Sequence, residues 1–231
     1  RIAEAGLGRA FLKRQQPDGH WGRAFYQPKW TSSHYTLVDL RNLCIPATPE
    51  IKKALALILA TSIGPDGGIN PSKDIEQSDV CINGMFLNYG CYFGTDEEKL
   101  RSVVDFIVSQ QLADGGFNCR LNRSGARHSS MHSTISVLEG IREYIAAGYA
   151  FRAEELNRIE GEAQEFLLRH RLFKSDHTGA VIHPSFLKLV YPPRWRYDIL
   201  RALDYFQSVG YPYDERLQDA LDILKEKRLP D

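Results

Sequence analysis

A short motif recurs at a fixed spacing along this chain. Its clearest copy is the segment 110–117, which reads QQLADGGF, and two earlier copies read QQPDGHW and GPDGGI. The three copies are centred on Asp18, Asp66 and Asp114, which lie 48 residues apart. A constant period of this size is typical of a chain that stacks one supersecondary unit after another. The fold is therefore expected to repeat one unit along the sequence.

The segments between the copies have the apolar spacing of amphipathic helices. They predict nine helices, a single outer helix followed by four pairs of one inner and one outer helix. Thr48 precedes Pro49 as an N-cap followed by proline at the first helical position. The run from Thr95 to Glu98 reads as a capping box. The predicted helices span about residues 1–15, 33–43, 49–64, 79–92, 96–111, 130–147, 152–172, 194–207 and 214–228.

The two helices of each pair differ in composition. The helix that follows a copy of the motif is the more apolar, and the helix that precedes the next copy is the more charged. Stacking such helical hairpins places the apolar helices inside, with their N-termini at one end. We therefore predict an all-α fold, an α/α toroid or partial α/α barrel, whose open end holds any functional site.

The continuity of the repeat bears on domain organisation. It predicts a single domain over residues 1–231. The segment 224–231 resembles the segment 12–18 and stops where the glycine of a further copy would follow. The sequence therefore predicts a toroid domain that is truncated at one or both ends.

The composition argues against several classes of function. The sequence has 29 Lys and Arg residues and 29 Asp and Glu residues, so no broad electrostatic field favours nucleic acid or an anionic membrane. No apolar run approaches the roughly 20 residues that cross a bilayer. The four cysteines include no C-x-x-C pair, which favours reduced thiols in a cytoplasmic protein.

The repeated motif also carries a family resemblance. The copies of Gln-x-x-Asp-Gly-x-Trp/Phe, the helix pairs and the period together resemble the α/α toroid of squalene and hopene cyclases and of protein prenyltransferase β-subunits. The resemblance covers most of the chain and weakens after about residue 150. It implies a protein that handles a prenyl diphosphate. Because folds of this type host several functions, the site has to be argued from its own residues.

Four residues occupy one equivalent position near the heads of the inner helices. Alignment of the apolar positions places them in register, and they are His34, Cys81, His132 and Tyr197. Asp79 lies two residues before Cys81. A carboxylate, a thiolate and an imidazole from Asp79, Cys81 and His132 can hold one tetrahedral metal ion. His34 can approach that ion from the other side. In the alternative interpretation, Cys81 is a small core residue and His132 a hydrogen-bonded residue at a helix start.

The same residues resemble a known metal site. The runs SDVC and SMHST resemble the Asp-x-Cys and His elements that bind zinc in protein prenyltransferase β-subunits. The resemblance implies Zn²⁺ as a cofactor, with Asp79, Cys81 and His132 as its ligands. In that family the zinc activates a substrate thiolate, which attacks the first carbon of the prenyl diphosphate. A metal-bound thiol is nucleophilic at neutral pH because the cation removes its proton.

A prenyl diphosphate requires basic and apolar contacts. The family clusters basic residues just before its Asp-x-Cys element, where this chain offers only Lys73. Loop arginines such as Arg127 supply guanidinium groups that suit phosphate oxygens. Aromatic side chains supply faces that stabilise a carbocation. The predicted substrate-binding residues are Lys73, Arg127, Trp30, Tyr197 and Arg196.

The copies of the motif themselves read as structural elements. Gln110, Gln111 and Asp114 lie at a helix end and its turn. Side-chain amides and carboxylates at such positions satisfy free backbone groups and contact the start of the next helix. Gly115 and Gly116 permit the positive φ angles of a tight turn. We therefore predict that the motif fixes the fold and does not perform the chemistry.

Three functions stay open on the sequence alone. The first is a prenyltransferase-like enzyme that binds an isoprenoid diphosphate and uses a zinc-activated thiolate acceptor, with a second protein subunit as the partner that the resemblance implies. It is favoured over a terpene cyclase because the sequence lacks the Asp-x-Asp-Asp acid of squalene and hopene cyclases. The second is a non-catalytic toroid that binds a peptide or an apolar ligand. The third is a cyclase-like enzyme without that acid.

Overall fold

The structure of this chain is mostly helical. A computed structural model describes residues 3–72 and 75–228, with the backbone alone described at residues 122 and 123. These residues form helices joined by turns and loops, and they contain no β-strand beyond two isolated bridges. The predicted all-α fold is confirmed for this part of the chain. Its helices include none with the length and apolarity that crossing a bilayer requires.

The helices agree with the predicted number. Within the described ranges, nine α-helices are seven residues or longer, and a further helix of four residues lies in a loop. The α-helices are α1 Gly6–Leu12, α2 Ser33–Asn42, α3 Pro49–Thr61, α4 Val80–Tyr92, α5 Glu97–Ser109, α6 Leu121–Ser124, α7 Met131–Ala146, α8 Ala153–Arg169, α9 Ile199–Ser208 and α10 Gln218–Lys227. Three short 3-10 helices occur at Lys29–Thr31, Pro184–Leu187 and Glu215–Leu217.

The start of α3 is the one that the sequence predicts. The Thr48 side chain accepts a hydrogen bond from the Ile51 amide at 3.5 Å, and Pro49 is the first helical residue. The fixed φ of proline suits this position, where its missing N–H would have no partner inside the helix. Local chemistry alone therefore determines where this helix begins.

The capping box predicted at Thr95 is wrong. The N-cap of α5 is Asp96, one residue later, and no side chain caps the helix there. The backbone of Thr95 is occupied elsewhere, because its amide donates to the Gly90 carbonyl and its carbonyl accepts from the Tyr149 hydroxyl. The contacts of Thr95 with the end of α4 and with Tyr149 therefore override the capping signal in the local sequence.

The last inner helix starts later than predicted. The sequence predicted a helix from residue 194, whereas α9 begins at Ile199. The Asp198 carboxylate is the cap, since it accepts a hydrogen bond from the Arg201 amide at 2.9 Å. The residues before it form an irregular segment, and part of this segment lines the candidate site.

Two of the three copies of the motif connect their turn to the start of the next inner helix, as predicted. The Asp66 carboxylate accepts hydrogen bonds from the amide and the hydroxyl of Ser78, at 2.6 and 2.8 Å. The Asp114 carboxylate makes the same pair of contacts with Ser129. The Gln111 side chain closes its own turn with a 3.0 Å bond to a backbone carbonyl. These contacts confirm the structural interpretation of the motif for both copies.

The inner helices follow one another in space. α2 contacts α4, α4 contacts α7 and α7 contacts α9, while the outer helices α5, α8 and α10 pack on α4, α7 and α9. The contact between α4 and α7 is the most extensive. A Cβ atom at Gly84 would lie 2.5 Å from the Ser136 carbonyl oxygen, and one at Gly140 would lie 2.5 Å from the Gly84 carbonyl oxygen. The two backbones therefore meet with no side chain between them.

We expect Gly84→Ala to destabilise the protein by about 3 kcal/mol, because its methyl group would overlap the α7 backbone and no flexible side chain is there to move. The measurement is urea unfolding followed by circular dichroism. The matched control is Gly161→Ala in α8, where an added Cβ meets no atom within 4 Å. That variant is expected to gain up to about 1 kcal/mol, because helices favour Ala over Gly. Equal stability of Gly84→Ala and the original protein would contradict the close crossing.

Candidate functional site

A cavity of about 500 Å³ lies between the four inner helices. Each of them contributes the residue seven positions after its head residue, and these residues are Arg41, Asn88, Glu139 and Asp204. Seven residues are close to two helical turns, so these side chains share a face with the heads and lie roughly 10 Å further along the helices. The segment 189–194 supplies a further wall.

The lining of the cavity combines apolar and charged side chains. The apolar residues and the two tyrosines are Val38, Met85, Tyr92, Leu189, Val190, Tyr191, Pro193 and Leu200. The charged residues are Arg41, Arg194, Arg201, Glu139, Asp198 and Asp204. Concave sites with mostly apolar walls and a few placed polar groups are typical of small-molecule binding. The cavity is therefore the candidate functional site.

Two other hollows, of about 610 and 740 Å³, lie elsewhere on the protein. The smaller lies at the first two copies of the motif, and the larger lies between the Asp114 turn and the hairpin near Asp176. Loop residues form most of their walls. The central cavity is the better candidate because all four inner helices hold its walls in place.

Two of the three cavity arginines are already balanced by carboxylates. Arg201 donates to both oxygens of Glu139, at 2.8 and 2.6 Å, and to the Arg196 carbonyl at 2.7 Å. Arg41 donates to Glu143 at 2.9 Å. Such charge-assisted pairs use much of the hydrogen-bonding capacity of a guanidinium group. Arg201 therefore has little capacity left for a ligand, whereas Arg41 keeps one buried Nε donor without a partner among the described residues.

Arg194 is balanced far less. Its guanidinium lies 3.9 Å from the Asp39 carboxylate, which is beyond hydrogen-bonding distance. Its Nε atom is buried and has no hydrogen-bond partner among the described residues. The rings of Trp30 and Tyr35 lie 4.9 and 5.6 Å from its Cζ atom. Burial raises the pKa of Asp39, although the charge of Arg194 opposes this shift. The Arg194 guanidinium thus has free hydrogen-bonding capacity at the cavity.

His34, a predicted metal ligand, is fully buried among aromatic rings. Its Nδ1 atom lies 3.2 Å from the Tyr89 hydroxyl, and the rings of Phe25, Tyr26 and Tyr35 pack around it. Its Nε2 atom has no hydrogen-bond partner within the described chain. Burial lowers the pKa of His34 to about 3, so the imidazole is neutral at physiological pH.

Cys81, the predicted thiolate ligand, contacts a second cysteine. A hydrogen bond with Cys119, together with burial, holds the pKa of the Cys81 thiol well above its usual range. Asp79 is the N-cap residue of α4, and its negative charge raises the Cys81 pKa further. A thiol in these surroundings stays protonated, and only a thiolate is a good nucleophile or metal ligand.

His132 is engaged with the segment that leads to α9. Its Nδ1 atom accepts a hydrogen bond from the Tyr197 amide at 2.8 Å, so the neutral ring carries its proton on Nε2. Burial, helped by the positive charge of Arg201, lowers the pKa of His132 to about 4. The rings of Phe186 and Trp195 pack edge-on against the imidazole. The structure thus brings His132 and Tyr197 together, as the shared register predicted.

The four predicted zinc ligands do not form one group. His34 and His132 are hydrogen-bonded to different neighbours, and Cys81 pairs with Cys119. In residues 3–72 and 75–228, no three His, Cys, Asp or Glu side chains lie where they could hold a metal ion. In this arrangement the residues do not fit a zinc ion. Zinc binding stays a prediction without support from the described residues.

Two of the predicted substrate-binding residues, Trp30 and Tyr197, differ in how accessible their side chains are to a ligand. Trp30 lies beside Arg194 and is 42% exposed, which leaves its ring accessible near the cavity. Tyr197 is buried, and its hydroxyl donates to the Leu172 carbonyl at 2.6 Å. Tyr197 therefore has a packing role, whereas Trp30 is available to a ligand.

Two of the predicted basic contacts, Arg196 and Arg127, lie away from the cavity lining. Arg196 is exposed, with its guanidinium 5.9 Å from the centre of the Trp195 ring. Arg127 is exposed in the loop before α7. Lys73 lies outside the described residues. Their roles in binding stay predictions.

The residues that line the cavity were missed at the sequence level, although their helix faces were identified. The register was read only at the helix heads, and continuing it by two turns leads to Arg41, Asn88, Glu139 and Asp204. The sequence therefore contained a signal for these four lining residues, namely their shared register two turns after the helix heads. Arg194 was predicted at the head of the last inner helix, whereas it precedes α9 and adopts a left-handed backbone conformation with φ 52°.

Comparisons with known proteins do not indicate a function for this chain. No protein-family model and no curated protein matches the chain. The function of the chain is therefore inferred from the cavity between the inner helices and from the charges that line it.

Acidification is expected to destabilise the protein through His34. The buried ring stays neutral in the folded protein down to a pH of about 3, whereas its ordinary pKa is 6.5. The unfolded chain therefore binds the proton first, and stability is lost as the pH falls from about 6.5 towards 3, by on the order of 5 kcal/mol in all. His34→Gln should reduce the slope of unfolding free energy against pH between about pH 7 and pH 4, measured by urea titration.

The control for this effect is His177→Gln, because the His177 side chain is 90% exposed. This variant should keep the slope of the original protein. Identical slopes for His34→Gln and the original protein would show that His34 is not neutral in the folded state.

Proposed function

We propose that this chain is a partial α/α toroid that binds an isoprenoid diphosphate, or a closely similar ligand with an apolar chain and an anionic head, between its inner helices. The succession of α2, α4, α7 and α9, three of them backed by an outer helix, supports the toroid. The cavity on their shared face supports the ligand site.

The observation that carries the proposal is the state of Arg194. Its Nε atom is buried without a partner among the described residues, and Asp39 lies too far away to accept a hydrogen bond. A buried donor without an acceptor destabilises the folded state. Diphosphate oxygens would provide the missing acceptors in the planar geometry that a guanidinium group prefers. Arg194 is thus the proposed contact for the anionic head.

The walls of the cavity support an apolar chain for the rest of the ligand. Val38, Met85 and Leu200 come from three different inner helices and supply apolar surface. A prenyl chain brings no polar groups, so it needs no partners there. A peptide would bring amide and carbonyl groups that need hydrogen bonds. The lining therefore favours an isoprenoid over a peptide.

Prenyl transfer, with a protein partner, is the activity that the family resemblance favours. A non-catalytic toroid that holds the same ligand is the second candidate, and the separation of His34, Cys81 and His132 favours it, because without a zinc ion the thiol of the acceptor is not activated. Cyclisation has the weakest support. Among the described aromatic residues, only Tyr92 and Tyr191 line the cavity, and Tyr191 is 77% exposed.

Zinc activation is a separate part of the proposal with its own test. A zinc-dependent rise in melting temperature that is lost in Cys81→Ser and kept in Cys44→Ser would support it, because Cys44 is exposed and lies outside the predicted ligand set. A melting temperature that responds neither to added zinc nor to chelation would exclude a bound zinc ion in the toroid.

The binding proposal predicts a strong effect of one arginine. Farnesyl diphosphate is expected to bind the original protein and to bind Arg194→Gln about 10- to 100-fold more weakly, because a hydrogen bond to a charged group contributes roughly 1.5–3 kcal/mol. Isothermal titration calorimetry measures both affinities. The matched control is Arg196→Gln, two residues away, whose exposed side chain is not part of the cavity lining.

The control is expected to bind as tightly as the original protein within about twofold, since its charge lies outside the site. Equal loss of affinity in both variants would indicate a diffuse surface effect and would contradict the assignment of Arg194. Farnesol, which has the chain without the charge, should bind more weakly than farnesyl diphosphate. Release of pyrophosphate in the presence of a thiol acceptor would distinguish the enzyme from the non-catalytic binder.

A further inference from the structure

One wall of the cavity is an irregular segment without helical support, which includes a turn at Arg194. Residues 189–195, which we name the strap, run from the end of a loop to the region just before α9, and five of them line the cavity. Two residues of the strap, Leu189 and Arg194, adopt left-handed φ angles of 51° and 52°. Residues other than glycine adopt this conformation only where the surrounding structure imposes it. The strap is therefore held in place by its contacts.

The contacts of the strap connect two separate parts of the fold. At one end, the Val190 amide donates to the Asp198 carboxylate at 3.0 Å, at the start of α9. At the other end, the Arg194 guanidinium lies over the rings of Trp30 and Tyr35 and 3.9 Å from Asp39. The strap thus extends from the last inner helix to the first one, α2, across one side of the cavity.

The contact at the α2 end is incomplete. Arg194 Nε is buried and has no hydrogen-bond partner in the part of the chain that the structure describes. This donor would regain a partner from water if the strap moved away from α2. The charge contact with Asp39 at 3.9 Å is long for an ion pair and contributes little. The closed position is therefore only weakly favoured at this end.

We propose that the strap is a lid of the cavity. It opens to admit the ligand by a change of backbone conformation at Leu189 and Arg194, which releases the Arg194 guanidinium from α2 and the Val190 amide from Asp198. It closes when the anionic head of the ligand accepts hydrogen bonds from Arg194 and takes over the role of Asp39. This inference rests on the proposed function, because the ligand supplies the charge that completes the closed contact.

Such a lid also explains how an apolar chain enters. The strap contributes Leu189, Val190 and Pro193 to the apolar wall, so its closure covers the chain of the ligand and excludes water from it. The walls supplied by α4 and α7 are fixed by the close contact of the two helix backbones at Gly84 and Gly140, so they cannot move apart in the same way. Movement is thus concentrated in the strap.

Amide hydrogen exchange followed by NMR tests the lid in the free protein. The reporter is the Val190 amide, which loses its Asp198 acceptor when the strap opens. It should exchange at least about 100-fold faster than the slowest amides of α4, which report global unfolding. Asp39→Asn should accelerate Val190 exchange about two- to fivefold, because the charge contact that holds Arg194 is lost. Asp105→Asn, which removes a surface partner of Arg152, should leave it unchanged.

Farnesyl diphosphate at saturation is then expected to slow Val190 exchange about tenfold or more, because the bound ligand shifts the strap to its closed position. Val190 exchange at the global unfolding rate would overturn the lid, and so would full binding by calorimetry without any slowing of Val190. If farnesyl diphosphate does not bind at all, the proposed function fails, and the comparison of Asp39→Asn with Asp105→Asn decides whether the strap opens.

Discussion

The backbone crossing of α4 and α7 is the contact on which the rest of the site depends. At Gly84 and Gly140 the two helices approach so closely that no side chain fits between them. This approach brings the Asn88 side chain within 2.9 Å of the Glu139 carbonyl, to which it donates a hydrogen bond. The Glu139 carboxylate in turn holds Arg201 of α9. Three of the four inner helices are thus positioned by one chain of contacts that begins at two glycines.

The positions at the heads of the inner helices and the positions two helical turns further along have different roles. At the helix heads, His34 packs among aromatic rings, Cys81 contacts Cys119, and His132 accepts a backbone amide. Helix starts carry free amides and are surrounded by loops, so side chains there are used by the protein itself. Two turns further, the side chains face a cavity. Ligand binding is therefore expected below the heads and not at them.

The sequence predicted the helical class, the number of helices and the role of the motif, because these depend on local spacing and on turn chemistry. Thr48 and Pro49 capped α3 as expected, since no distant group competes for them. The box at Thr95 failed because the preceding turn of α4, through Gly90, and the distant Tyr149 bind its backbone. The position of Arg194 beside α2 could not be predicted from the sequence. It depends on a non-helical segment reaching α2, and no periodicity encodes such a path.

The contacts of the motif also determine how the repeats respond to stress. Asp114 binds Ser129 at the start of α7 through its carboxylate, and its carbonyl accepts a bond from Arg169 at the end of α8. One turn therefore joins its own repeat to both helices of the next. In a chain of repeats, strong coupling between neighbours makes unfolding cooperative, whereas weak coupling lets the ends fray one unit at a time. Joined in this way, neighbouring repeats would melt together as one unit.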